Sequence, residues 1–595
     1  ITRGSGTANA GANTYIRGLN SLYATTQPLI VVDNVIYDNQ EFAPSMLSGY
    51  TNNPMSFIDI RDIDNISVIK DGYSTYGTKG ANGVIVINTS RTSQQATKID
   101  AGVYGNVNFA PQTLPVMNAS DFRSYLSEML QSAGYTSADI AGMPFMSDDP
   151  ASADYKRYHY NTNWQKQVLS ASSGQNGYLK VTGGDNIAMY GLTMGFLNNK
   201  GIIDNSTKLS RYNMRFNADF NISPKLTAKS NIAYTFNDQT VALTGINQKI
   251  NPLQAALIKS PFLPVRAVSD AGVESPSFAD SDIFGVSNPA ALTSDATATA
   301  KFYRFLGSLV LDYKFSKYLS FSNSLAITMD KYREEFFIPS LGVVPDTLDN
   351  AVVFNRSGAQ VLRLFNISND ARLTYDRIFN KAHRLTVRLG NRYISSKTEQ
   401  DYGRGFNSAT DQMKGVGFGL NSLRRIGGSL GGYNWINNYL NVEYGYNQKY
   451  FLGVNTALDG SSRFGKDAEN NAVKIGDNSY AFMPSVSAAW LLSSEKFLSG
   501  VSWLEMLKLR SSYGLSGNDD IGDYTARKYY TSQNLLGMQG LVRGNAGNAA
   551  LQWETVEKFN VGLDAAFLKE RLSVSFDLFS NHTKNMIVYE NAPTI

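Results

Sequence analysis

The sequence predicts an all-β fold: a transmembrane antiparallel β-barrel of about fifteen strands, preceded by a smaller N-terminal unit. Three observations carry this. Segments alternating apolar and polar residues recur from Gly177 to Phe579. Consecutive segments are joined by short polar turns at one end and by long loops at the other. Charged residues make up 17% of the chain and aromatic residues 12%, yet no window approaches the roughly 18 consecutive apolar residues of a transmembrane helix. Strand alternation keeps mean hydropathy at −0.24 while leaving one face apolar. Composition alone fits a secreted propeller or solenoid equally well. The asymmetry between turns and loops separates them, because a propeller shows none.

Composition also excludes several kinds of chemistry. The chain has no cysteine, so disulfide and zinc-thiolate sites are ruled out. A net charge of +4 without any long basic run argues against nucleic acid as a partner. His159, His383 and His582 lie far apart with no metal-ligand spacing, and read as surface or wall residues. No HExxH, GxSxG or Gly-Lys-Ser/Thr phosphate loop occurs. The acidic run Asn518-Asp519-Asp520 with Asp523 lacks EF-hand spacing and reads as a solvated loop rather than a calcium site. No catalytic, cofactor or metal residue is therefore assigned.

The N-terminal unit occupies residues 1–90 in this reading. Pro28 to Tyr37, PLIVVDNVIY, is a buried strand pair broken by a turn at Asp33-Asn34; Asn tolerates the positive φ such a turn requires. Ile66 to Ile69 and Val84 to Ile87 are apolar, β-branched strand segments. Between them lie Lys70-Asp71 and then Gly77, Gly80 and Gly83 at a spacing of three, with Tyr76, Lys79 and Asn82 alongside. No helix follows these glycines, so they read as glycines of the fold rather than phosphate binders.

This combination, with Tyr15-Ile16-Arg17-Gly18 upstream, resembles the plug domain of TonB-dependent outer-membrane transporters of the SusC/RagA type. The resemblance extends over essentially the whole chain, through Leu458-Asp459-Gly460-Ser461-Ser462-Arg463-Phe464-Gly465, the run from Phe482 to Leu491, the run from Leu507 to Gly522 and the run from Trp553 to Asp564. It departs from the family at Asn34, where Gly is usual, and between Asp71 and Tyr76, where the chain is shorter by about two residues. The resemblance implies that the N-terminal unit is an α/β plug domain inside the barrel lumen, with the plug motif Asp33, Lys70, Asp71, Tyr76, Gly77, Gly80, Asn82 and Gly83.

Residues 91–98 read as a polar linker and Ile99 to Ala110 as the first barrel strand, opening a barrel over residues 99–595. Asn118 to Gly134 is the clearest helical segment, with Asn118 or Ser120 as its cap. Asn213 to Ile222 alternates strictly, with Met214, Phe216, Ala218, Phe220 and Ile222 on one face. Turns at Ser223-Pro224-Lys225, Ser316-Lys317-Tyr318, Asn447-Gln448-Lys449 and Lys569-Glu570-Arg571 join such strands; the opposite connections are long, as from Asn237 to Ala300 and from Gly517 to Glu554. Each strand is expected to be near the roughly 9–11 residues needed to cross. The resemblance implies a barrel of about 22 strands, so the last strands and the first part of the plug are expected to lie outside this chain.

The resemblance further implies a bacterial outer-membrane location, among lipid and lipopolysaccharide, and no enzymatic chemistry. It implies active import of an oligosaccharide or oligopeptide, with a SusD-like surface lipoprotein as lid and TonB as the source of energy. Two other readings stay open: a plugged barrel serving as a docking subunit of a larger envelope assembly, and a signalling receptor. Arg463 and Phe464 lie on a long outward loop, where such a pair either contacts substrate or holds the loop together.

Overall fold

A computed structural model describes the chain apart from residues 1, 4–10, 38–43, 51, 53–54, 72–73, 93–94, 205–206, 499, 536 and 589–595. The shortened segment after Asp71 falls partly on residues 72–73, outside the described residues.

The N-terminal unit is a four-stranded sheet of β1 (Leu29–Val32), β2 (Val35–Tyr37), β3 (Ile63–Ile69) and β4 (Val84–Thr89), in the order β2-β1-β4-β3. β1 and β4 run parallel; the other two pairings are antiparallel. The β1–β2 hairpin turns on Asp33 (φ 48°) and Asn34 (φ 69°), both left-handed, as a two-residue hairpin of this twist demands. Val31, Val32, Val84 and Ile87 are almost wholly buried between this sheet and its surroundings.

Fifteen strands then follow in unbroken antiparallel order. They are β5 (Gln95–Asn108), β6 (Ser172–Gly184), β7 (Ala188–Lys200), β8 (Lys208–Ser223), β9 (Leu226–Thr240), β10 (Thr297–Lys314), β11 (Leu319–Ile338) and β12 (Arg356–Phe379). β13 (His383–Phe406), β14 (Arg425–Tyr446), β15 (Tyr450–Ser461), β16 (Asn478–Leu491), β17 (Leu504–Asn518), β18 (Glu554–Phe567) and β19 (Leu572–Lys584) complete the series. The short strand Ala472–Ile475 pairs onto β16 from a loop. The sheet is open, with β5 and β19 at its edges among the described residues.

Two expectations shift. The first strand begins at Gln95, within the segment read as linker, and ends at Asn108. The strands run from 12 residues in β15 to 24 in β12 and β13, beyond the crossing minimum. Short hairpins close one end, so the added length lies at the end carrying the long loops.

Alternation sorts the two faces. On β8, Met214, Phe216 and Phe220 stand 37–45% exposed on the outer face, while Asn213, Arg215 and Asn217 are at most 8% exposed on the inner one. Ala218, on the apolar face, is covered by its neighbours at 4%. The pattern inverts that of a water-soluble sandwich: apolar side chains face out, and the buried interior is polar. The helix expected after Asn118 forms as α1 (Ala119–Ser132), and the Asn118 side chain accepts the Asp121 N–H at its first turn.

Candidate functional site

The N-terminal sheet projects the segment 74–83 against the inner face of the large sheet, and most of the named sequence motif meets the wall there. Gly77 has φ +51°, and a Cβ at that position would collide with the Asp459 carboxylate of β15. Its absence lets Asp459 take both the N–H and the hydroxyl of Thr78 on Oδ2, at 2.7 and 2.8 Å. The Trp435 indole N–H reaches the same oxygen at 3.2 Å, and Asn437 donates to the other at 2.5 Å. Asp459 is 0% exposed, so each of these bonds acts without competition from bulk water. Lys79 lies 3.0 Å from Asp519 and 4.8 Å over the Tyr433 ring. Tyr76 lies beneath the Arg392 guanidinium at 4.6 Å, and Arg392 also donates to the Thr75 carbonyl and to Asp370.

The remaining motif residues fix the segment's exit. The Gly80 carbonyl accepts from Lys558 at 3.1 Å. Asn82 donates to the Thr25 carbonyl at 2.7 Å. Gly83 (φ +82°) turns the chain into β4, and its carbonyl accepts the Leu29 N–H at 3.0 Å. Asp33 accepts the Thr89 N–H at 2.8 Å, the Thr89 hydroxyl at 2.6 Å and the Asn231 amide of the wall at 3.0 Å. Asp71 pairs with Arg17 and accepts the Ser512 hydroxyl at 3.0 Å; Lys70 stands 3.8 Å from Asp577. The structure thus brings the motif residues into one polar contact surface running from β8 to β19.

Sequence reasoning missed the wall side of this surface: Arg215, Arg392, Trp435, Asp459 and Lys558. Its visible signals were the quoted runs around Asp459 and from Trp553 to Asp564, which holds Lys558. Of the two roles open to Arg463 and Phe464 the geometry favours holding the loop, and the reading of the acidic run changes. Arg463 is 1% exposed, bound to Asp523 at 2.8 Å and stacked 3.9 Å over Tyr433. Phe464 packs on Trp553 with ring centroids 4.6 Å apart. Both side chains are spent holding the loop, and neither presents surface to a solute. The acidic run is not a solvated loop: Asp519 pairs with Lys79, Asp523 with Arg463, and Asp520 accepts the Thr25 N–H at 2.7 Å.

Around segment 74–83 the inner contact is therefore mainly hydrogen bonds and ion pairs, while elsewhere Leu47, Tyr50 and Phe57 pack on Phe302, Tyr332 and Leu362, and Val35 on Leu306 and Ala326. Each neutral bond nets only about 0.5–1.5 kcal/mol, because water replaces it on separation. An apolar contact of equal area would lose about 25 cal/mol for every Å² uncovered. A polar seal of this kind holds in sum and parts locally at modest cost.

Towards the loop end, segment 45–48 of the N-terminal unit reaches up to the wall. Ser45 and the Met46 N–H bind Glu334 at 2.5 and 2.7 Å. Loop carboxylates there are strongly held. Burial opposes ionisation of Asp411, but N–H groups of Ser340 and Leu341 and the Asn355 amide outweigh it and lower its pKa. Asp346 is likewise lowered against burial by the Thr347 N–H, Arg356 and Lys249.

Comparison with known proteins places this geometry. The sequence model described as "TonB-dependent Receptor Plug Domain" matches residues 1–84, and "TonB dependent receptor-like, beta-barrel" matches residues 118–595. This chain belongs to the TonB-dependent receptor family. It is 25% identical to TonB-dependent receptor P26 of Formosa agariphila, over all of this chain and 56% of the relative. It is 24% identical to TonB-dependent receptor SusC of Bacteroides thetaiotaomicron, over 99% of this chain and 56% of that protein. The chain thus spans little more than half the length of these relatives. Among solved structures, the RagAB peptide transporter superposes with a TM-score of 0.78 at 20% identity, covering 100% of this chain and 65% of the other. The chain is of the SusC/RagA type, a family of outer-membrane receptors and transporters rather than enzymes. The four-stranded N-terminal sheet is its plug, and the fifteen-stranded sheet its barrel wall.

Proposed function

We propose that this chain is the membrane-spanning part of an importer that carries a nutrient, an oligosaccharide or oligopeptide, across the outer membrane in a TonB-dependent way. One observation carries the reading: segment 74–83 of the plug meets the barrel through a polar surface whose contacts water can replace, as a seal that must open requires. In this reading residues 1–90 are the plug, residues 91–98 lead out of it, and the barrel occupies the rest. The outward apolar face meets outer-membrane lipid and lipopolysaccharide. A SusD-like lipoprotein closes the loop end, and TonB pulls on the plug from the periplasm. SusC and RagAB, the relatives described above, support both partners. Arg463 and Phe464 serve the site by fixing the loop beside the plug.

The test is gentle detergent extraction of the tagged, full-length native complex, with mass spectrometry of its components. A SusD-like lipoprotein in equal amount is expected. Stoichiometric recovery of secretion or assembly components instead would overturn import as the sole role and favour a docking subunit.

A further inference from the structure

We infer that the outer face of β10 to β13 carries a binding site for an anionic lipid of the outer leaflet, with lipopolysaccharide as its occupant. The inference needs the outer-membrane placement and does not depend on the import reading.

The height of the apolar band locates the site. On β10 the outward positions from Tyr313 to Tyr303 are Tyr313, Leu311, Leu309, Gly307, Phe305 and Tyr303. At about 3.3 Å per residue and a tilt of about 40° this stretch rises about 25 Å, the height of a barrel's lipid-facing band. The next outward position is Lys301. β11 and β12 make the same change: Met329 is followed by Lys331 and Arg333, and Phe365 by Arg363. Short turns mark the opposite end as periplasmic, so this boundary belongs to the outer leaflet. Phe236 and Tyr303 stack there with ring centroids 4.8 Å apart, as aromatic residues at headgroup level do.

A groove of about 420 Å³ lies at this boundary. Tyr303, Phe305, Met329 and Phe365 form its apolar part, and Lys331, Arg363 and Lys397 its cationic edge. Strand register sets the cations side by side. Lys331 stands directly across from Arg363, and Lys397 directly across from Phe365, on the diagonal from Arg363. One step further out, Lys301 stands across from Arg333. Like charges directly opposite on neighbouring strands are destabilising, so two such pairs in one patch call for an anion.

The local carboxylates supply only part of it. Glu399 and Asp401 serve Arg363 at 3.3 and 3.8 Å, Glu335 serves Arg333, and Asp238 stands across from Lys301. Lys331 and Lys397 are exposed and have no ion-pair partner among the described residues. The strands to either side carry no cation at this level: β8 and β9 place Tyr212 and Phe236 there, and β14 places Leu430 and Gly432. The charge is thus local to the groove.

An apolar trough edged by ammonium and guanidinium groups fits an amphiphile that joins acyl chains to a phosphate. Guanidinium binds phosphate through two parallel N–H bonds, and each lysine adds a point charge. The groove opens on the hydrocarbon side of the wall and not on the lumen, which excludes the imported solute as its occupant. The phosphorylated, acylated sugar of lipopolysaccharide is the acidic amphiphile of this leaflet.

The test titrates monophosphoryl lipid A, fully dephosphorylated lipid A and dioleoyl phosphatidylglycerol onto the delipidated full-length complex in detergent. Bound lipid is counted by native mass spectrometry for wild type, the double variant Lys331→Gln with Lys397→Gln, and Lys317→Gln. Lys317 is the control, an exposed cation in a periplasmic turn. Wild type is expected to bind the phosphorylated lipid A at least about tenfold more tightly than the dephosphorylated form. The double variant loses that preference and Lys317→Gln keeps it. Equal binding of the two forms, or a preference that survives the double substitution, overturns the site. Loss of the preference in Lys317→Gln as well marks diffuse attraction and overturns it too. Phosphatidylglycerol bound as tightly as lipid A, and lost equally in the double variant, keeps an anionic-lipid site and overturns the lipopolysaccharide assignment. Displacement of lipid A by an equal concentration of inorganic phosphate overturns the role of the apolar groove.

Discussion

Asp459 of the barrel wall and Thr78 of the plug are joined twice, through the Thr78 N–H at 2.7 Å and its hydroxyl at 2.8 Å. They are 381 residues apart in sequence, and Gly77 makes the approach possible by carrying no side chain. Gly77→Ala is therefore expected to unseat the segment. At φ +51° and ψ −123° a non-glycine residue costs about 1–3 kcal/mol, and the Cβ would also displace Asp459. The reconstituted full-length barrel should show raised ion conductance and easier proteolysis within Ser74–Lys79. Gly80→Ala is the control, since the nearest atom to a Cβ there is 3.5 Å away. Equal behaviour of the two variants would show that Gly77 has no special role in the seal.

The Lys79–Asp519 pair should behave unlike an ordinary surface pair. Its side chains are 3% and 0% exposed. Removing one partner strands a buried charge and costs about 3–5 kcal/mol, whereas Lys79→Met with Asp519→Asn together costs much less. Lys98–Asp100, with side chains 64% and 40% exposed, should show a coupling of about 0–1 kcal/mol. Double-mutant cycles on unfolding in lipid would compare them, and similar couplings would contradict the burial argument.

Gly245 ties an outward loop to the plug. A Cβ there would strike the Ser48 carbonyl, the same oxygen that accepts the Ile246 N–H at 3.1 Å. Gly245→Ala should push the loop off and speed hydrogen exchange at Ile246, leaving the barrel strands as protected as before. Unchanged exchange at Ile246 would show that the loop yields without losing the bond.

Asp411 supplies a pH dependence. Its pKa is lowered in the folded protein, because N–H donors from Ser340, Leu341 and Asn355 outweigh the opposing effect of burial. The stability it gives the two loops is thus complete above the ordinary carboxylate range of about 4. It is lost as pH falls through the lower, folded-state value. Protection factors at Ser340 and Leu341 should hold from pH 7 to 5 and drop only below about 4. Asp411→Asn should lower them at neutral pH, and no difference at neutral pH would mean the carboxylate does not hold the loops.

Much of this architecture was legible in the sequence because it depends on local rules. Alternation from Asn213 to Ile222 marks a strand with one apolar face, Asp33-Asn34 marks a hairpin, and Asn118 marks a helix start. The site was half legible. The plug motif could be read, since Gly77 and Gly83 advertise unusual backbone. Its counterparts on the wall could not. A polar residue such as Asp459 or Arg215 in an alternating strand looks the same whether it faces water or a plug. Arg463 was open in the same way: an arginine beside a phenylalanine on a long loop can meet a solute or hold the loop, and only Asp523 and Tyr433 around it separate the two. Strand length was hidden too, because alternation continues unchanged past the membrane boundary.

The 24-residue strands β12 and β13 have a further effect. At about 3.3 Å per residue and a tilt of about 40°, they rise about 60 Å, roughly twice the thickness of the hydrocarbon core. Short turns hold the other end near the periplasmic surface, so the surplus stands outside. The surplus is one-sided: it rises along β11 to β14, of 20 to 24 residues, and falls away at β15, of 12.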